Sequence, residues 1–523
     1  MDRGLRPTLF LLLLLCSKAA ILSQFNCPHR CQCFTPAQVL CADEHMTSVP
    51  GNISREAKEV IIMTSAVQYL FPTSFDESPK LNKLIFFNNP LQSIHSQAFQ
   101  KLHELQELEI SGNPWLQHLF LGTFSKQGNL TKLQLNYNRF QTVLPGMFHA
   151  LENLETLQLK ANVISNLPTL LFGKLPNLHV LDLSLNKIQK VERETFSGLT
   201  RLEILKMSNN HVSNISSDTF LHVGQLMELH LDGNRIAELA DETFSELTKL
   251  KVLNLRGNRL TTFNDRVLFG GEALNLTLLD LRGNRLTEVS SFSTLLSLTD
   301  LLLSSNQLSS LPKNIFTNVT SLENVDLSEN RLTSLPERIF AELKSIKMIH
   351  LHKNQLISLD SKLFQDQEFI QQLYLSDNQL QNLPLGLLDH FTLPHMLRLH
   401  GNPWKCDCHM WYLHDLVLNS SQDFEMLDRM LCESPDLLRR RPVASIGRDE
   451  LLCRLPKDEM TDLSSCTLRK SSDSLVIKCK VDKCSPLTVK VEFLEHSGSV
   501  QGHIWKSDHS QCSNVTIDKT HMP

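Results

Sequence analysis

The chain has 523 residues, 41% of them hydrophobic and 20% charged, with a formal net charge of −5. That composition excludes a disordered chain. The near balance of charge leaves no global field that would favour nucleic acid or an anionic membrane. At the N-terminus, Arg3 and Arg6 precede an apolar run from Leu9 to Leu15, followed by Ser17, Ala19 and Ala20. This pattern predicts a cleaved secretory signal over residues 1–24, because the run is too short to span a bilayer. Residues 25–58 then hold Cys27, Cys31, Cys33 and Cys41 ahead of a periodic region, where an N-terminal cap is expected.

From residue 59 to 402 the chain keeps a beat. Asparagine recurs at 89, 113, 138, 162, 186, 210, 234, 258, 284, 306, 330, 354, 378 and 402. Eleven of the thirteen intervals are 24 residues or within one of it. Each Asn closes an L-x-x-L-x-L-x-x-N segment, as in Leu178-x-x-Leu181-x-Leu183-x-x-Asn186. The segments resemble the leucine-rich repeat, and about fourteen of them predict an α/β solenoid: a horseshoe with a parallel concave sheet. In Leu250–Asn258, Leu253 and Leu255 alternate with Val252, Asn254 and Arg256. A strand puts the leucines inside and the others on the concave surface. Phe recurs at 75, 99, 124, 148, 172, 196, 220, 244, 269, 292, 316, 340 and 364, with Leu388 in the next place, and these rings are expected to fill the convex side of the core. The rhythm stumbles once. Asn258 to Asn284 is 26 residues and the next step is 22, around Gly270-Gly271. A bulging convex loop or local kink is expected there.

The strand register lists the candidate binding positions. They are His230, Asp232, Asn254, Arg256, Asp280, Arg282, Asp326, His350, His352, Tyr374, Arg398 and His400. Mixed charges with few aromatics suit a reversible macromolecular interface rather than a metabolite pocket. The three nearby histidines do not make a metal site, since His400 lies two coils from His350 and no carboxylate completes a set. The sequence contains no H-E-x-x-H, G-x-S-x-G, Walker or G-x-G-x-x-G motif. A solenoid without an inserted domain also offers no water-excluding cleft, so neither an enzyme nor a cofactor is expected.

Past the last repeat, Cys406, Cys408, Cys432 and Cys453 mark a C-terminal cap over 403–455, with a basic run Arg439-Arg440-Arg441. That run could hold a glycosaminoglycan or an acidic partner, though short charge runs are usually solvated loops. Residues 456–523 carry Cys466, Cys479, Cys484 and Cys512 and two alternating stretches, Ser474–Cys479 and Leu487–Phe493. They predict a small β-rich module too small to hold together by its core alone. An even cysteine count grouped by module reads as disulfides, and spacing alone leaves three connectivities per group. Zinc at Cys406-x-Cys408 is disfavoured by the oxidising compartment. Asn52, Asn129, Asn214, Asn275, Asn318, Asn419 and Asn514 head glycosylation sequons. No segment after the signal is long and apolar enough for a membrane span, so secretion into the extracellular space is expected.

The Asn-Cys-Pro start at 26–28, the uninterrupted repeats, the His400–His409 cap sequence HGNPWKCDCH and the four-cysteine tail resemble one group of extracellular leucine-rich repeat proteins. That group is the regulatory-subunit family of carboxypeptidase N. The resemblance implies cap pairings Cys27–Cys33, Cys31–Cys41, Cys406–Cys432 and Cys408–Cys453, and leaves the tail pairing open. It implies a non-catalytic glycoprotein that binds, carries and stabilises a zinc carboxypeptidase cleaving C-terminal Lys or Arg, in an assembly of two plus two chains. The other reading is an independent binding protein with a matrix or innate-defence ligand.

Overall fold

The computed structural model describes residues 27–268, 274–393 and 395–453, and the strands Cys466–Lys470, Ser474–Cys479, Thr488–Leu494, Val500–Lys506 and Val515–Asp518. The expected signal segment, Phe269, Gly270-Gly271, Cys484, Cys512 and Asn514 lie outside the described residues.

One parallel sheet of short strands runs the length of the repeats, from Glu59–Met63 to Met396–Arg398. Each strand shows the same alternation: the leucine or its equivalent is buried and its two neighbours face the concave surface. The first strand lies one coil before the first asparagine. Ser65 stands in the asparagine's place, and its N–H and hydroxyl both donate to Asn89 Oδ1 at 3.0 and 2.7 Å. Elsewhere the amides form a spine. Asn258 Nδ2 donates to the carbonyls of Leu231 and Leu255 at 2.9 Å each, and its Oδ1 accepts from Ile236 N–H at 3.1 Å. These bonds satisfy backbone groups that the sharp turn out of the strand would strand in the core.

The return path is made of turns and short 3-10 segments such as Arg193–Phe196 and Asp265–Val267. Among the described residues, the α-helix is Trp411–Asn419 in the C-terminal cap. The phenylalanine ladder lies stacked inside, with ring centroids 6.4 Å apart for Phe99–Phe124 and 5.7 Å for Phe340–Phe364. Where the rhythm stumbles, the concave sheet does not. Val252 pairs with Leu278 and Leu278 with Asp300, in unbroken register. Behind the sheet, Thr262–Phe263 pairs with Glu288–Val289 and Phe263 stacks on Phe292 at 6.3 Å.

Both ends of the sheet are covered, as a solenoid requires. Cys31–Thr35 pairs antiparallel with Gln38–Cys41, which runs parallel to Glu59–Met63. Disulfides join Cys27 to Cys33 and Cys31 to Cys41. At the far end, Phe424–Glu425 adds a strand beside Met396–Arg398, and disulfides join Cys406 to Cys432 and Cys408 to Cys453. Trp404 is fully buried there and donates from Nε1 to the Leu399 carbonyl at 3.2 Å. The tail is β-rich: Ser474–Cys479 lies antiparallel between Cys466–Lys470 and Val515–Asp518, and Thr488–Leu494 pairs with Val500–Lys506.

Candidate protein-binding face

Because the strands are in register, equivalent residues form rows across the concave face about 5 Å apart. One row near the C-terminal end reads Asp326, His350, Tyr374, Arg398, Glu425. Its members are locked to one another. The His350 ring stacks on Tyr374 with centroids 4.4 Å apart and planes 5° from parallel. Arg398 lies over the other side of Tyr374, its Cζ 3.9 Å from the ring centroid. Glu425 then accepts a hydrogen bond from Arg398 Nε and closes the row. His352, in the next row, meets the edge of Tyr374 at 6.2 Å. Such a stack gains a cation–π term of about 1 kcal/mol, and it immobilises the side chains before any partner arrives.

The environment sets the charge of this row. Burial holds the imidazoles of His350 and His352 below the usual histidine range, against the pull of Asp326, which favours their protonated forms. The hydrogen bond to Glu425 raises the affinity of Arg398 for its proton further. Burial likewise raises the Tyr374 hydroxyl above its usual range. These surroundings favour the neutral forms of the two imidazoles and the charged form of Arg398.

The other candidate positions lie where the register puts them, with two corrections. Asp280 is 3% exposed, because Arg282 folds back on it with a bidentate pair at 2.9 and 2.6 Å, so it offers no free charge. Tyr374 is 7% exposed, since the stack covers both faces of its ring. Asp232 accepts from the Ser208 hydroxyl at 2.6 Å and from Asn254 Nδ2 at 3.2 Å. His230 contacts Glu228 at 3.3 Å, and Arg256 is exposed. His400 sits in the row of His352, and the Nδ1 atoms of both are buried without a hydrogen-bond partner among the described residues.

Two members of the face escape sequence reasoning. Glu425 belongs to the cap strand, where no leucine pattern marks the register. Glu109 stands far along the same row, and burial raises its carboxyl above the ordinary range. It is readable from the repeat register. Arg439 and Arg441 of the basic run are engaged internally by Glu433 and Glu450. Asp407, Cys408, His409 and Cys453 converge in the cap, but both sulfurs are tied up in one disulfide and are not available as thiolate ligands. The asparagines of the six described sequons are all exposed.

A covered-edge solenoid that presents preorganised polar rows is a binding scaffold of the extracellular type. The family described as Leucine rich repeat matches residues 113–164, 152–212, 224–286 and 296–356. Among curated proteins, it is 30% identical over 111 residues to Reticulon-4 receptor-like 2 of Rattus norvegicus, covering 21% of this chain and 26% of that protein. It is 32% identical over 123 residues to Carboxypeptidase N subunit 2 of Homo sapiens, covering 18% and 22%. The matched part thus spans about a quarter of the length of these curated relatives. A solved leucine-rich repeat protein of Leptospira interrogans superposes with a TM-score of 0.63 at 28% identity, covering 73% of this chain and 93% of that one. No helix among the described residues is long and apolar enough to cross a membrane.

Proposed function

We propose that this chain is a secreted, non-catalytic glycoprotein that binds a protein partner on its concave face. The partner proposed is the catalytic chain of a zinc carboxypeptidase that removes C-terminal Lys or Arg, held in a two-plus-two assembly. The observation that carries the binding role is the locked row His350–Tyr374–Arg398–Glu425. Arg is among the residue types that dominate interface energies, and Arg398, already fixed on the buried Tyr374 ring, loses little entropy on binding. The likeness to Carboxypeptidase N subunit 2 supports the choice of partner. Binding only the folded enzyme would stabilise it by mass action.

A second reading, an independent extracellular receptor-like binder, is favoured by the similar likeness to Reticulon-4 receptor-like 2. Purification of the secreted chain without reductant separates the two. Stoichiometric recovery of a basic-residue carboxypeptidase, lost in a Y374A/R398A variant, supports the first. A chain that runs alone and binds no such enzyme overturns it.

A further inference from the structure

Three consecutive coils carry a motif that the concave row does not use. They read Asp232-Gly233-Asn234-Arg235, Arg256-Gly257-Asn258-Arg259 and Arg282-Gly283-Asn284-Arg285. The asparagines belong to the buried spine, and the arginine after each leaves the coil exposed at the turn edge. The backbone N–H groups of Arg235, Arg259 and Arg285 donate to Val212, Ile236 and Leu260 of the preceding coil at 2.8, 2.8 and 2.9 Å. The three side chains therefore start from equivalent points, each about 5 Å from the next. Among the described residues, none of the three has a carboxylate within 4.0 Å, whereas Arg282, three residues before Arg285, does.

The glycines open the ground in front of these cations. The position before each spine asparagine is left-handed throughout the repeats. Leu185, Asn209, Ser305, Glu329, Lys353 and Asp377 hold it with φ between 53° and 58°. The backbone thus does not require glycine here, yet Gly233, Gly257 and Gly283 occupy it in the three arginine coils, at φ of 65–67°. The result is a groove of about 630 Å³ lined by these glycines, the spine asparagines, His211 and the three arginines. Side chains close both ends. Asn209 stands in line ahead of Gly233, where a Cβ on that glycine would meet its Oδ1 at 2.4 Å. Beyond Gly283, the Ser305 hydroxyl and Lys353 Nζ both bond to Glu329, at 2.8 and 2.7 Å, and fill the same position. The open part spans three coils, roughly 15 Å by strand spacing.

The lining carries cations and amides but no carboxylate, no apolar side chain and no aromatic ring apart from His211. Its occupant must be narrow, must repeat its anions along its length and must gain nothing from burying an apolar anchor. Single-stranded nucleic acid finds no row of aromatic platforms for its bases. The disulfide-bonded caps place the chain in an oxidising compartment, where sulfated glycans supply such a polyanion. We infer that the Arg235–Arg259–Arg285 groove binds a linear sulfated polysaccharide, each guanidinium fork pairing with a sulfate as it does with phosphate. This site is separate from the concave row and does not depend on the partner proposed for it.

The test uses the full chain and heparin, by salt elution from a heparin column and by titration calorimetry. R235A/R259A/R285A is expected to elute at clearly lower salt and to bind about tenfold or more weakly, with a shallower salt dependence. G257N/G283N keeps the charge but fills the groove with the residue that position 209 already tolerates, and it should also weaken binding. Unchanged elution and affinity in a folded triple variant overturn the proposal. So does equal binding of desulfated heparin, or of a single-stranded RNA or polyglutamate of matched charge. Loss of heparin binding with carboxypeptidase recovery intact would separate this site from the concave one.

Discussion

The Tyr412 hydroxyl accepts a hydrogen bond from the Leu388 backbone N–H and donates one to Asp389 Oδ1, both at 2.8 Å. Tyr412 lies 24 residues beyond Leu388, which lies 24 beyond Phe364, so the spacing of the ladder continues into the cap. Its phenol is pushed well above its usual range by burial, with Asp389 adding to the effect. Y412F is expected to leave the buried Leu388 N–H unpaired and to cost about 1–3 kcal/mol. Urea denaturation of the two proteins checks this, and an unchanged midpoint would show that the bond does not hold the cap.

Removing a spine amide should cost more. Asn258→Ala deletes three hydrogen bonds and leaves the carbonyls of Leu231 and Leu255 and the N–H of Ile236 competing for fewer partners. A loss of about 3 kcal/mol is expected. Hydrogen exchange should show it spreading to the coils on either side, because neighbours share these bonds.

Stability and partner binding should both fall in mild acid. Burial depresses the His350 and His352 imidazoles from an ordinary value of 6.5, Asp326 and Gln372 favouring the protonated form of His350 and Arg398 disfavouring it. For His352, Asp326 and Glu329 favour the proton while His350 and Lys353 oppose it. The unfolded chain therefore takes up protons first. The contribution of the neutral rings is complete above about pH 6.5 and is lost as pH falls through the lower folded values. Denaturation midpoints at pH 7.5 and 5 measure the loss, and H350Q/H352Q should flatten that difference. A variant with the same pH profile as the parent would remove the imidazoles as its cause.

The Asp280–Arg282 pair predicts an asymmetry. R282A leaves a buried carboxylate without its bidentate partner and is expected to destabilise by about 2–4 kcal/mol. D280N/R282A, which removes the stranded charge as well, should recover part of that. A double-mutant cycle in urea gives the coupling, and additive losses would mean that the pair contributes no net stability.

The periodic leucines and asparagines made the solenoid, its sheet and most of the concave positions legible, because each enters a backbone geometry repeated coil after coil. What escaped depended on side-chain direction. Asp280 and Tyr374 occupy concave register positions, yet one is folded under its own neighbour and the other is enclosed between two planar groups. Glu425 and Tyr412 sit in the cap, where the leucine pattern has ended and only the 24-residue count for Tyr412 hinted at its place. The three glycine–asparagine–arginine segments are plain in the text, but the open ground between them depends on which neighbours lack side chains.

The unbroken pairing of Val252, Leu278 and Asp300 across two unequal coils has a last consequence. Residues gained or lost behind the sheet do not rephase the rows in front of it. Changes in coil length can therefore accumulate on the outer curve while the recognition rows keep their spacing, so drift in size and selection for a ligand act on different parts of the same repeat.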